Sequence, residues 1–344
     1  MLKRKVYEDL LKWKKEANGK ALCIIGARQI GKTTLIREFG KNEYEYFAEL
    51  NFVTDERAAD IFNGKLTAEA VITNLTAYLQ TPLEPGKTLI LFDEVQECPR
   101  VRSAIKFLVE DGRFDYIESG SLLGVRYKDV TSYPVGFEQI LPMYPLDFEE
   151  YLWALNDTVT IPAITEAFQK RRALGDAIHR KIMKTFRTYM VVGGMPQAVE
   201  ALVSGKTFAQ IDFVKRNILS LYEEDLSKYD NENREKASVI YKTLPEQLEN
   251  KNSHFKFSLL DKNARYQNYV DAVSFIAESM IGNECINVTK PEVSLELFAD
   301  RSNFKLYMGD TGLLVTQVMK NRDDSDEDLY KSLIVGNLGI NQGM

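Results

Sequence analysis

The chain has 344 residues, 44% hydrophobic and 27% charged, with a formal net charge of −6 and a pI near 5.3. That profile belongs to a globular protein long enough for two or three domains, and it excludes a chain that binds polyanions through overall charge. Two histidines and three well-separated cysteines (Cys23, Cys98 and Cys285) exclude a histidine-rich metal site and a disulfide framework, and reduced thiols are expected.

The N-terminal stretch MLKRKVYEDLLKWKKE is basic at its start. Charges at Glu8, Asp9, Lys12, Lys14 and Lys15 leave no apolar core for a signal peptide. No later run approaches the ~20 apolar residues of a membrane span, so a cytoplasmic location without membrane contact is the expectation. Residues 5–18 read as an amphipathic helix with Val6, Leu10 and Trp13 on one face.

The next stretch, Ala21 to Glu38, runs ALCIIGARQIGKTTLIRE. An apolar strand leads into Gly26-Ala27-Arg28-Gln29-Ile30-Gly31-Lys32-Thr33, and Thr34 onward reads as a helix. This is the G-x-x-x-x-G-K-[ST] phosphate loop in its strand–loop–helix context. Gly26 and Gly31 allow the backbone to curl so that amides converge on a phosphate. The helix N-terminus adds unpaired N–H groups and the positive end of its dipole. Lys32 is expected to bridge the β- and γ-phosphates of ATP, and the Thr33 hydroxyl to ligate Mg²⁺. Arg28 is a further candidate to touch nucleotide.

Tyr44–Leu50 reads as the second strand, and residues 55–80 as two helical pieces broken at Asn63-Gly64. Thr88–Phe92 is an apolar strand ending in Asp93-Glu94, the Walker B pattern. Asp93 is expected to hold Mg²⁺, and Glu94 to orient or deprotonate the attacking water. A helix over Pro99–Glu110 and a strand over Phe114–Glu118 follow, the strand ending in Ser119-Gly120-Ser121. Ser119 or Ser121 is the candidate sensor of the γ-phosphate, with a plain helix N-cap as the alternative. Arg126 is a candidate trans-acting arginine finger, which allows for an oligomer. A fifth strand around Gln139–Tyr144 and a capping box from Asp147 to Glu150 complete an ATPase core over residues 1–155.

Residues 156–233 read as a helical linker or lid. It contains a helix over 165–191 with an apolar stripe and a basic face (Arg171, Arg172, Arg180, Lys181, Lys184 and Arg187), and a second helix over 207–229. Over 234–320 the expectation is a helix at 235–250, a short one near Ser258–Ala264 and a longer one around Tyr266–Ile281. Strands at Glu284–Val288 and Phe304–Met308 follow. Three helices and a ribbon outline a winged helix, with Arg265, Tyr266, Gln267 and Asn268 opening a recognition helix for DNA or, equally, a protein. Residues 321–344 read as an acidic linker and the start of a truncated C-terminal module.

Together GARQIGKTT, LILFDEVQ, ESGSLLG, MYPLDFEEYL, YMVVGGMPQAV and FKLYMGDTGLL resemble a family of bacterial and archaeal AAA-type ATPases that join a P-loop core to a C-terminal domain of unknown function. The resemblance implies an α/β fold with a parallel sheet of order 5-1-4-3-2. It also implies binding and hydrolysis of ATP through Lys32, Thr33, Asp93 and Glu94, and continuation into a restriction-endonuclease-like module whose metal ligands lie beyond Met344. The remaining alternatives are an ATP-binding switch that acts through protein partners with little turnover, and a small-molecule kinase. The adjacent carboxylates and the lack of an arginine-rich lid disfavour the kinase.

Overall fold

Unbroken apolar runs such as Leu89-Ile90-Leu91-Phe92 suit strands covered on both faces, and they form a parallel sheet. In the computed structural model, which describes residues 2–16, 19–120, 136–227, 234–249 and 254–319, the strands are Ala21–Ile25 (β1), Tyr46–Asn51 (β2), Thr88–Asp93 (β3), Asp115–Gly120 (β4) and Glu138–Pro142 (β5). Their order is β2-β3-β4-β1-β5 with every pairing parallel, which is the expected order read from the other edge. The register sets Asn51 beside Asp93 and Asp93 beside Ser119, so three polar residues stand abreast at the carboxyl ends of β2, β3 and β4.

One face of the sheet, including Cys23, Ile90, Phe92 and Tyr116, packs against Ala68–Leu79 (α3) and Arg100–Asp111 (α4). Phe92 stacks on Tyr116 and meets Phe62 edge-on. Val6–Glu16 (α1) buries Leu10 and Trp13, as its periodicity predicts, and packs on Lys32–Glu43 (α2), which lies on β2, β3 and β4. Between β2 and α3, Glu56–Phe62 is a 3-10 segment ending at Asn63, where the sequence places the break. These elements form one compact unit, Arg4–Tyr144.

A second unit comprises Met1–Lys3 and the chain from Pro145 onward. It opens with Phe148–Ala154 (α5), whose Asp147–Glu150 capping box is formed as expected. The single helix expected over 165–191 is two helices, Thr160–Gln169 (α6) and Asp176–Val192 (α7). Arg171 and Gly175 between them have φ of +48° and +81°, which no helix accommodates. Pro196–Val203 (α8), Phe208–Ser227 (α9) and Arg234–Glu249 (α10) follow.

The helix expected around Tyr266–Ile281 is shorter. Tyr266–Asn268 is a 3-10 turn and the α-helix is Val270–Glu278 (α11). Tyr266 and Tyr269 both pack on Phe257, and these ring contacts hold the backbone out of helical register at Tyr269 (φ −125°, ψ −1°). Near Ser258–Ala264 the regular element is only a 3-10 turn, Phe257–Leu259. Gly282–Val288 (β6) and Ala299–Met308 (β7) form an antiparallel ribbon longer than expected, with an irregularity at Ile286/Asn287. Thr311–Val318 (α12) is the last described helix. Ser121, Arg126 and the segment 321–344 lie outside the described residues.

The two glycine-rich stretches of this unit, 193–196 and 309–312, meet in a latch. Asp310 caps α12 by accepting from the Leu313 amide at 2.9 Å, and its other oxygen accepts from the Gly194 amide at 2.6 Å. The backbones touch, since a β-carbon at Gly312 would lie 2.2 Å from the Val192 carbonyl oxygen. Lys215 of α9 donates to the carbonyls of Val191 (2.9 Å) and Gly312 (3.3 Å), with burial pushing its ammonium down to about 8. Asp310→Ala would strand two buried amides. It is expected to cost about 3 kcal/mol in denaturant titrations followed by the fluorescence of Trp153, whereas Lys12→Ala at an exposed ion pair should leave the midpoint unchanged.

Candidate nucleotide and metal site

Gly26 and Gly31 are where side chains cannot go. A β-carbon on Gly26 would meet both the Ile30 side chain and the Met143 carbonyl oxygen at 2.4 Å, and Gly31 has φ +89°. Between them, Gln29 adopts φ +64° at the exposed crest of the loop, while Ala27 and Ile30 turn their side chains into the core. Those two can therefore serve a ligand only through their backbone. Arg4, buried, fastens the loop from below by donating to the Ile30 carbonyl at 3.0 Å and the Tyr144 carbonyl at 2.5 Å.

Lys32 opens α2. It is 7% exposed and its ammonium donates to the Gly26 and Ala27 carbonyls at 2.8 Å each, so the charge lies within the curl of the loop. Thr33 is half-buried and donates through Oγ1 to Asp93 Oδ2 at 2.9 Å, joining the loop to β3 across 60 positions of sequence. Thr34 is exposed.

Asp93, 2% exposed, receives three neutral donors: Thr33, Asn51 Nδ2 at 2.8 Å, and the Ser119 hydroxyl, which donates to Oδ1. No lysine or arginine pairs with it in that set. The donors leave its charge in place, and a hydroxyl and a carboxylate side by side are the hard oxygen ligands that Mg²⁺ takes while keeping several waters. The donor set thus fits the ion. Asn51 was not among the residues picked from sequence; its position as the last residue of β2, in register with Asp93, is the signal that finds it. Glu94 follows with left-handed backbone (φ +57°, ψ +45°), which turns its side chain away from that of Asp93. Its Oε2 accepts from Gln96 Nε2 at 2.6 Å.

A second polar cluster lies inside the sheet. Glu118 is fully buried next to Glu138, Cys23 and Arg102, and oxygen and sulfur atoms of the first three lie within 4.8 Å of one another. Arg102 donates to both Glu138 oxygens (2.6 and 2.7 Å) and to Cys23 Sγ (3.6 Å). Its guanidinium already supplies the positive charge a metal would bring. Burial, aided by the neighbouring Glu138 and opposed by Arg102, pushes Glu118 up to about 8, and burial drives the Cys23 thiol far above its usual range.

The basic residues of α7 are exposed over its first half, with Arg180, Lys181 and Lys184 toward solvent. Arg28 is half-buried in the loop. Among the described residues, no helix is long and apolar enough to cross a membrane.

A strand, a curled loop gripping a lysine, and a carboxylate bonded to the loop threonine define a P-loop nucleotide-binding fold. Residues 18–152 match the model of the AAA domain family. Residues 183–324 match a domain of unknown function, DUF8612. The chain matches no curated protein. It is similar to the Walker-type ATPase PABY2304 of Pyrococcus abyssi, with 13% identity over 92% of this chain and 96% of that one and a TM-score of 0.50. Fainter likenesses are to the Aeropyrum pernix ORC1 protein in complex with DNA (11% identity, 92% of each chain, TM-score 0.33) and the Thermotoga maritima RuvB Holliday junction branch migration motor (14%, 84% and 90%, 0.36). At 13% identity the likeness to the Pyrococcus abyssi protein is one of fold alone.

The Glu118 cluster makes the first unit sensitive to pH. The folded carboxyl keeps its proton up to about 8, whereas in the unfolded chain it releases it near 4.5. The native state therefore binds more protons between those values, and stability falls as pH rises through that window and levels off above it. Thermal unfolding followed at Trp13 should occur several degrees lower at about pH 8.5 than at about pH 5.5. Glu118→Gln should shrink that difference.

Proposed function

We propose that this chain is a Mg²⁺-dependent ATPase. The observation that carries the reading is the 2.9 Å hydrogen bond from Thr33 to Asp93, which joins the phosphate loop to the acidic end of β3. The amides of residues 26–33 and the Lys32 ammonium bind the β- and γ-phosphates. Thr33 and Asp93 would hold the metal, with Asn51 and Ser119 fixing the carboxylate. Mg²⁺ bound there would offset the negative charge of the phosphates. Glu94 accepts the proton of the attacking water.

The proposed output of the nucleotide state is the winged-helix-like segment 234–319, acting on a protein partner rather than on duplex DNA. The exposed face of α11 carries Asp271 and Glu278, and the turn between β6 and β7 carries exposed Glu292, with Glu296 beside it paired to Arg301. Carboxylates on those two surfaces would repel a phosphate backbone. Arg265, Gln267 and Asn268 are exposed in and just before the 3-10 turn, which leaves a smaller polar contact than a full recognition helix.

Lys32→Ala is expected to abolish binding of a fluorescent ATP analogue. Glu94→Gln should retain nucleotide while single-turnover hydrolysis falls by about 10²–10⁴-fold, the range of general-base catalysis. Turnover unchanged in either variant would overturn the assignment. An unaltered protein that binds ATP and releases no phosphate would replace it with the switch reading. A salt-sensitive mobility shift of duplex DNA, lost on removing Arg265, would overturn the preference for a protein partner.

A further inference from the structure

The end of β3 holds a contact that the roles assigned so far do not use. Glu94 has left-handed backbone and opens the 3-10 turn Val95–Glu97, whose geometry is fixed by amides returning from Glu97 to the Glu94 carbonyl (3.0 Å) and from Cys98 to the Val95 carbonyl (3.1 Å). That turn brings Gln96 back against Glu94. Gln96 is 4% exposed, and its Nε2 donates to Glu94 Oε2 at 2.6 Å. Only this orientation of the amide is tenable, since the flipped one would set two oxygens against each other at that distance. The other end of the amide, Oε1, is buried and accepts no hydrogen bond from the protein.

A buried acceptor left without a donor costs about 1–3 kcal/mol, and an aliphatic side chain of the same volume would fill the space without that cost. Packing therefore does not account for glutamine here. The hydrogen bond to Glu94 does. We infer that Gln96 is the positioning residue for Glu94: its N–H ties one carboxylate oxygen and so sets the rotation of the group. The second oxygen, Oε1, is left to face the attacking water. This rests on the reading of Glu94 as the base.

In the step it serves, the water oxygen bonds to the γ-phosphorus and one water proton passes to Glu94 Oε1. The bond from that phosphorus to the β–γ bridging oxygen breaks, and its electron pair leaves with ADP. Gln96 donates the same N–H throughout and is chemically unchanged. A neutral donor suits the task, because a lysine or arginine at 96 would hold the carboxylate in an ion pair and weaken it as a base.

The test uses the full chain with Mg²⁺ and ATP, and two variants. Gln96→Met keeps the volume and removes the donor; kcat should fall at least tenfold while the affinity for a fluorescent ATP analogue stays within twofold. Gln96→Glu should lose as much near pH 8. Its activity relative to the unaltered protein should then climb at least fivefold toward pH 5.5, because a protonated carboxyl at 96 is again a donor to Glu94. A purely structural glutamine would give no such recovery. The inference is overturned if Gln96→Met turns over within twofold of the unaltered protein, if it loses nucleotide along with activity, or if the Gln96→Glu ratio is flat with pH. Failure of the unaltered protein to release phosphate would overturn the role of Glu94 itself, and this inference with it.

Discussion

The Asp93 carboxylate is the point at which the sheet and the phosphate loop are tied together. A buried charge must be compensated, and a cationic partner would be the simplest means. Here the compensation comes from three neutral groups on three different elements: Thr33 on α2, Asn51 on β2 and Ser119 on β4. The parallel register brings Asn51 and Ser119 there, and the loop between β1 and α2 brings Thr33. The arrangement keeps the negative charge available to an ion while making its position a property of the whole sheet.

The other buried acidic cluster shows the opposite solution. Glu118 lies one residue before Ser119 on the same strand, so its side chain emerges on the opposite face of the sheet. There Arg102 of α4 binds Glu138 and Cys23 directly, and the neighbouring Glu118 is held as the acid. That cluster cross-links β1, β5 and α4 in the interior. The carboxylates of Asp93 and Glu118, one register position apart on neighbouring strands, thus have different fates, because alternation of side chains sends them to opposite faces of the sheet.

What the sequence discloses is the part of the site whose chemistry demands contiguous spacing. Gly26, Gly31, Lys32 and Thr33 must follow one another for a loop to wrap a phosphate, and Asp93-Glu94 must end an apolar strand. Asn51 and Gln96 belong to the same polar constellation but are invisible in that way. An asparagine ending a strand reads as a turn residue, and a glutamine after Asp-Glu reads as surface. Only cross-strand register and the 3-10 turn reveal their contacts. Beyond the core, periodicity finds helices but places their ends poorly. The apolar stripe over 165–191 continues past Arg171 and Gly175, whose backbone breaks it. Tyr266 and Tyr269 look helical until aromatic packing claims them.

The latch at Asp310 bears on how this protein can be dissected. Its surroundings extend back to the start of the second unit: the Leu146 amide donates to the Gly194 carbonyl at 2.7 Å, and the Tyr189 hydroxyl donates to the Leu146 carbonyl at 2.8 Å. Tyr151 of α5 stacks in the same apolar cluster. A C-terminal piece expressed from residue 156 would leave that wall behind and expose the apolar flank of α7 and α8. One expressed from residue 145 would keep Leu146 and Tyr151 against that flank, and it is the fragment from which a crystallisable product is to be sought.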